Sequence, residues 1–221
     1  QHGEIFGQSS QTSINLVNQL RMEPYWWDEA TPHQLPVSQV AQSCDVAIVG
    51  AGYAGLSAAL VLARAGRSVQ VFDKLRPGEG ASSRNGGLAS ANIKIGFGEL
   101  LEKHGRDRAL EVYGEGKHAR EGLKAFIKEE EIDCDYQSVG RFIGAYRPTH
   151  FDAQRREADL LNEHLDVGAE IVEPANIHTE IGSDHYYGGM VRPDLSGLHP
   201  AKFVAGLLQK VSDAGVTIHG E

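Results

Sequence analysis

Gly50, Gly52 and Gly55 stand in the stretch VGAGYAGL, and Asp73 follows 23 residues after the first of them. The glycines make G-x-G-x-x-G, a spacing suited to holding a pyrophosphate. Gly50 permits a tight turn, Gly52 lets the backbone approach the phosphates, and Gly55 lets a helix pack close to a strand. Tyr53 and Ala54 fill the variable positions, where the first N–H groups of a helix and its positive dipole end face an anion. Asp73 falls where a carboxylate accepts hydrogen bonds from ribose hydroxyls, with Lys74 beside it. A carboxylate there repels a 2′-phosphate, which argues against NADP. These residues predict dinucleotide binding, by NAD or FAD.

A second stretch, GASSRNGG at 80–87, has no large apolar side chain and three glycines. It suits neither a buried strand nor a helix. One reading is a solvated connection. The other is an anion-binding concavity, in which successive small residues expose N–H groups and Arg84 adds positive charge.

The elements that must position these residues are legible nearby. VAIV (46–49) is a short apolar run ending at glycines, which predicts a buried parallel strand. Ala54 to Ala65 are mostly good helix formers, stopped by Gly66, and SVQVFD (68–73) reads as a second strand. Strand, glycine turn, helix and strand within about thirty residues predict a right-handed βαβ unit. Downstream, residues 97–131 are helical in character, with an apolar stripe through Ala109, Val112, Tyr113, Ala119, Leu123, Phe126 and Ile127. Residues 134–146 read as one or two strands interrupted at Gly140, and Pro148 opens an amphipathic helix to about His164. HYYGGMVR (185–192) predicts a strand. Pro200 opens a last helix ending at Gly215, and VTIH (216–219) a further strand. A parallel sheet of three strands leaves much backbone and apolar surface uncovered, so the chain reads as the N-terminal part of a longer protein.

Composition sets outer limits. Of 221 residues, 41% are hydrophobic and 23% charged, enough for a real core. A formal charge of −9 argues against a nucleic-acid partner, and no stretch is long and apolar enough to span a bilayer. Cys44 and Cys134 give neither a disulfide framework nor metal spacing and read as buried thiols, which suits a cytoplasmic location. His178, Asp184 and His185 lack metal-ligand spacing, so no metal is expected. His199 before Pro200 fits a helix start. Within a proline-punctuated arm, YWWDEA (25–30) offers either a ligand platform or, the preferred reading, an anchor packing the arm onto the body. Arg141, Tyr146, Tyr186 and Tyr187 are candidates to meet a substrate carboxylate, each with a structural role as the preferred reading. No triad or carboxylate dyad is visible, and no catalytic residue is assigned.

Taken together, DVAIVGAGYAGLSAALVLARAG (45–66), GEGASSRNGGLAS (78–90), EIDCDY (131–136), YYGGMVRPDLSGLHPAKFVAGL (186–207) and the leader PYWWDEATP (24–32) resemble the FAD-dependent amine oxidases of the D-amino-acid-oxidase-like superfamily. That grouping includes glycine oxidase, sarcosine oxidase and, nearest in appearance, γ-glutamylputrescine oxidase-like proteins. Ala59, one helical turn beyond Gly55, matches its extended fingerprint. The resemblance implies an α/β fold: a Rossmann-like FAD-binding domain with an inserted α+β substrate region, its C-terminal part beyond this chain. It divides the chain into an arm (1–44), a βαβ unit with flavin loop (45–94), a substrate-covering region (95–190) and a return to the FAD-binding domain (191–221). It implies that Ser82, Ser83, Arg84, Asn85, Gly86 and Gly87 contact FAD beside Gly50, Gly52, Tyr53, Ala54, Gly55, Asp73 and Lys74. The activity implied is oxidation of an amine or amino acid to an imine, with oxygen or another carrier accepting the electrons. Asp73 departs from the family's usual glutamate. The loop also lacks a His or Cys for covalent attachment, so FAD is expected to be noncovalent or tethered by a residue outside this chain.

Overall fold

β-branched and apolar residues dominate Val46–Val49 (β1) and Val69–Phe72 (β2), and the two runs pair in parallel, Val46 opposite Val69 and Val49 opposite Phe72. The computed structural model describes residues 21–32, 35, 38–91 and 93–220, so the predicted arm before Arg21, with 33, 34, 36 and 37, lies outside the described residues. Between the strands runs α1 (Tyr53–Arg64). It ends in a Schellman cap: Gly66 at φ +79 donates to the Ala63 carbonyl, and Arg67 donates to that of Leu62. The chain returns to this sheet only at its end, where β8 (Thr217–His219) pairs in parallel with β2, giving the order β1-β2-β8.

Helices α1 and α4 (Pro200–Asp213) supply the side chains packed against the sheet. Leu56, Ala59, Leu60, Leu207 and Val211 close on Val69, Val71 and Ile218. Each large side chain buried there contributes about 1.5–3 kcal/mol. The expectation of a fully buried β1 is corrected in one respect. Among the described residues β1 pairs only with β2, its side chains alternate between half-buried and exposed, and Val49 is 91% exposed. Among the described residues, one face and one edge of the strand are therefore uncovered. On β2, buried Gln70 instead exchanges hydrogen bonds with the backbone of Ala41.

The intervening region forms a second layer. Helix α2 (Phe97–Glu129) is broken at Gly105, which sits at φ +75, ψ 168, so the predicted helix is two segments end to end. Its stripe is narrower than expected, since Ala119 is exposed while Ala109, Tyr113 and Ile127 are buried. Its first N–H groups are capped by Glu157 of α3 (Pro148–Leu165), which accepts from Phe97 at 2.9 Å. Helix α3 packs on an antiparallel sheet of β4 (Arg141–Gly144), β6 (Gly189–Arg192) and β5 (Glu170–Val172), in the order β4-β6-β5, and α2 packs against α3. The strand read over 185–192 begins only at Gly189. Residues 88–90, inside the expected loop, form a short strand β3 (Leu88–Ser90) that pairs with β7 (Leu195–Gly197). Cys134 is buried where α2 meets α4, and burial, followed by Asp135 and Asp133, pushes its thiol up to about 11. It is an inert core thiol.

One buried ionic cluster ties α2 to the β6–β7 turn. Arg192 makes a bidentate pair with Asp194, Nε to Oδ1 at 2.9 Å and a terminal nitrogen to Oδ2 at 2.7 Å. Tyr113 donates to the same carboxylate, and Arg120 donates to the Asp194 carbonyl. Burial pushes the Tyr113 hydroxyl up to about 12, so it is a neutral donor throughout the physiological range. Burial also opposes ionisation of Asp194, but Arg192 outweighs it and holds the carboxyl below its ordinary value. Asp194→Asn leaves Arg192 buried without a counter-charge, and removing one partner of such a pair costs about 3 kcal/mol. Because the folded-state pKa of Asp194 is depressed, its contribution is present above about pH 4 and is lost as pH falls further. Urea denaturation at pH 7 should show a clear loss of stability in Asp194→Asn, and at pH 3 the gap from wild type should narrow. Equal gaps at both pH values would remove the charge from this account.

Candidate functional site

The chain leaves β1 through Gly50, at φ +103, with its N–H held by the Phe72 carbonyl of β2 at 2.7 Å. A Cβ on Gly55 would stand 1.9 Å from the Gly50 carbonyl oxygen, so only a glycine lets α1 start this close to the strand. Gly52 stands at the N-cap position of α1 in extended conformation and offers no side chain to its orphan N–H groups. The Tyr53 N–H donates to Ser82 Oγ at 3.1 Å. Ala54 is exposed beside it, and no acidic side chain occupies the first turn. N–H groups and dipole thus face an open position that favours an anion.

Asp73 ends β2 and bridges inward. Its Oδ2 accepts from the Ala51 N–H at 2.7 Å and its Oδ1 from the Leu75 N–H at 3.0 Å. It therefore ties the end of β2 to the glycine turn, and each oxygen retains a second lone pair for a hydroxyl donor. Lys74 beside it is exposed.

Residues 81–83 make one 3₁₀ turn that brings the loop to the first turn of α1. Consecutive hydroxyls part company there. Ser82 accepts from Tyr53, while Ser83 is buried and accepts from Trp27 Nε1 at 3.0 Å. The Arg84 guanidinium lies 4.3 Å over the Trp27 ring and donates from Nε to the Glu79 carbonyl at 2.7 Å. Its charge, expected to stand toward a phosphate, is shared with Glu79 in this arrangement. Asn85 staples the loop. Its Nδ2 donates to the Ser82 carbonyl at 2.9 Å and to Tyr53 Oη at 3.2 Å, and its Oδ1 accepts from Gly87 N–H at 2.9 Å. Gly86 is exposed, and a Cβ there would meet nothing within 4 Å. Gly87 is the opposite case: at φ +68, a Cβ would stand 2.2 Å from the Leu198 carbonyl oxygen.

The fingerprint and the loop are therefore one arrangement, joined at Tyr53. A groove of about 590 Å³ opens beside them, lined by Tyr53, Asn85 and Gly87 and by apolar side chains including Val61, Leu88 and Phe126. An uncapped helix terminus, small residues and an apolar wall fit a group with both phosphates and a flat ring, as FAD has.

Other candidates lie elsewhere. Arg141 opens β4, and Tyr146 and Tyr186 meet edge to face just past its other end, ring centroids 5.1 Å apart. His199 caps α4, its Nδ1 accepting from Lys202 N–H at 3.2 Å, as its place before Pro200 predicts. Sequence reasoning assigned the tryptophans of the arm to packing and did not see that both bond to the loop. The only signal was the aromatic run itself.

Comparison with known proteins bears on the family and the fold. The family model described as FAD dependent oxidoreductase (DAO) matches residues 45–221. A probable oxidoreductase OrdL of Rhizobium meliloti is 29% identical over 198 residues, covering 88% of this chain and 46% of that protein. The gamma-glutamylputrescine oxidoreductase of Escherichia coli is 31% identical over 164 residues, 74% of this chain and 38% of its own length. Among solved structures, glycine oxidase from Geobacillus kaustophilus superposes with a TM-score of 0.65 at 20% identity, covering 80% of this chain and 46% of that one. An L-amino acid deaminase from Proteus myxofaciens gives 0.67 at 16% identity, covering 87% and 41%. The chain spans less than half the length of these relatives, and the structural likenesses establish the fold. With turn and loop both inside the matched range, the chain belongs to the DAO family of FAD-dependent oxidoreductases.

Proposed function

We propose that this chain is the cofactor-holding part of an enzyme that oxidises the C–N bond of an amine or amino acid to an imine. The observation that carries the reading is the bond from Tyr53 N–H to Ser82 Oγ, which makes the glycine turn and the small-residue loop a single cofactor seat. The relatives named above as glycine oxidase, L-amino acid deaminase and gamma-glutamylputrescine oxidoreductase support the substrate class.

In this reading Gly50, Gly52, Tyr53, Ala54 and Gly55 take the pyrophosphate, Asp73 and Lys74 the ribose end, and Ser82 to Gly87 the flavin side. Residues 45–94 and 191–221 form the cofactor domain, and 95–190 cover the substrate. Bound FAD supplies the two-electron acceptor for a hydride from the carbon beside nitrogen, and oxygen or another carrier reoxidises it. The protein's part is orientation and exclusion of water, so no acid–base pair is required of this chain.

The full-length protein should be yellow, and a panel of primary and secondary amines and amino acids should include one that bleaches it anaerobically. A colourless protein sinks the flavin reading, and a yellow one that no amine bleaches sinks the substrate class. Two glycines sharpen the assignment. A Cβ at Gly86 meets nothing within 4 Å, so the apoprotein of Gly86→Val should melt as wild type does while FAD content drops at least tenfold. Gly55→Val drives a side chain into the Gly50 carbonyl and should lower both the melting temperature and FAD content. Normal flavin content in Gly86→Val would remove the loop from the cofactor seat.

A further inference from the structure

Resting on the flavin reading above, we propose that Trp26 and Trp27 of the arm are positioning residues for the cofactor, holding loop 82–87 in its binding conformation before FAD arrives. The loop's own bonds, the Asn85 staple among them, hold it only in part. Its only regular structure is the 3₁₀ turn at Ala81–Ser83, and of the six residues only Ser83 and Gly87 are buried. Such a segment is costly to order, at about 1–2 kcal/mol per residue for the backbone alone, and ordering on binding would be subtracted from cofactor affinity.

The arm supplies what the loop lacks. Three successive loop residues, Ser83, Arg84 and Asn85, are each engaged by one of two successive tryptophans. Trp27, only 4% exposed, donates from Nε1 to Ser83 and lies under the Arg84 guanidinium. Trp26 donates from Nε1 to the Asn85 carbonyl at 2.8 Å. The arm itself is fixed from the other side. The Trp26 ring meets the His199 imidazole edge on, centroids 4.9 Å apart, and Glu29 pairs with Lys202 at 2.7 Å. Trp26 and Trp27 thus link the start of α4 to the loop, while Ser82 and Asn85 link the loop to Tyr53 in the first turn of α1. The tryptophans act through the loop's backbone and hydroxyl. They need touch no part of the cofactor.

Indole N–H groups are the discriminating feature, because phenylalanine keeps a ring but cannot donate. In the full-length protein, Trp26→Phe and Trp27→Phe should each raise the FAD dissociation constant, measured by titrating apoprotein with FAD, by about three- to tenfold, the equivalent of one hydrogen bond. The two together should raise it further. Trypsin should cut the double-variant apoprotein after Arg84 faster than it cuts wild-type apoprotein, and saturating FAD should restore protection. The apoprotein melting temperature of Trp26→Phe should stay close to wild type, which separates positioning from general support of the fold. If Trp27→Phe fails to fold, Trp26→Phe alone carries the test, since its ring is only half-buried. Unchanged FAD affinity in Trp26→Phe, with Arg84 no more accessible, overturns the proposal. A wild-type protein that takes up no FAD overturns the flavin reading itself, so the two failures are distinguishable.

Discussion

The close approach of Gly55 to the Gly50 carbonyl is the constraint around which the glycine turn and its neighbouring loop are built. With no room for a Cβ, the first turn of α1 sits directly on the end of β1, and its N–H groups face outward at the strand's edge. Such a terminus is unsatisfied and electropositive, and the chain leaves most of it open. Gly52 offers no side-chain cap, the first turn holds no acid, and among the described residues one of its first donors, Tyr53 N–H, is taken by a side chain, that of Ser82. That donor goes to the loop. The loop's position thus follows from the helix terminus, and it is fixed at the far side by Asn85, Gly87 and the arm.

Local features of this arrangement were legible in the sequence, because they depend on spacing along the chain. The βαβ unit, the glycine cap of α1, the proline starts of α3 and α4 and the return of the last strand all follow from periodicity and turn chemistry. The residues that escaped depend on partners far away in sequence. Trp27 and Ser83 are separated by 56 positions, and Trp26 and Asn85 by 59. No local pattern encodes such a pair. The same holds for Arg84, whose guanidinium was expected to face a phosphate but is shared between Glu79 and an indole. Asp73 is a subtler case. The sequence placed its carboxylate beside the turn, but only the coordinates reveal that Ala51 N–H takes one of its oxygens.

Two further departures have physical causes of the same kind. The apolar run of β1 implies cover on both faces, yet covering depends on which elements pack there, and among the described residues one face and one edge of the strand are left open. Gly105 interrupts α2 because it adopts an extended ψ that breaks the helical hydrogen-bond ladder, whereas a periodicity argument reads straight through a single glycine.

The glycine turn with its loop and the second layer meet through a narrow junction, and its construction explains why the end of the loop leaves no room for a Cβ at Gly87. Gly87 passes its carbonyl to Leu198 N–H at 2.8 Å, and β3 then pairs with β7, so the loop runs directly into a ribbon. That ribbon's second strand begins immediately after Asp194, the acceptor at the centre of the Arg192 cluster that anchors α2. Its other end leads through Leu198 into His199 and the start of α4. One short stretch, from 192 to 200, therefore takes force from three directions: the buried ion pair, the loop and the arm. Gly86, with open space above it, and Gly87, pressed against Leu198, are adjacent residues under opposite constraints. The first could carry a side chain without meeting the protein's own atoms at Cβ, and the second is spent on joining the loop to the body of the protein.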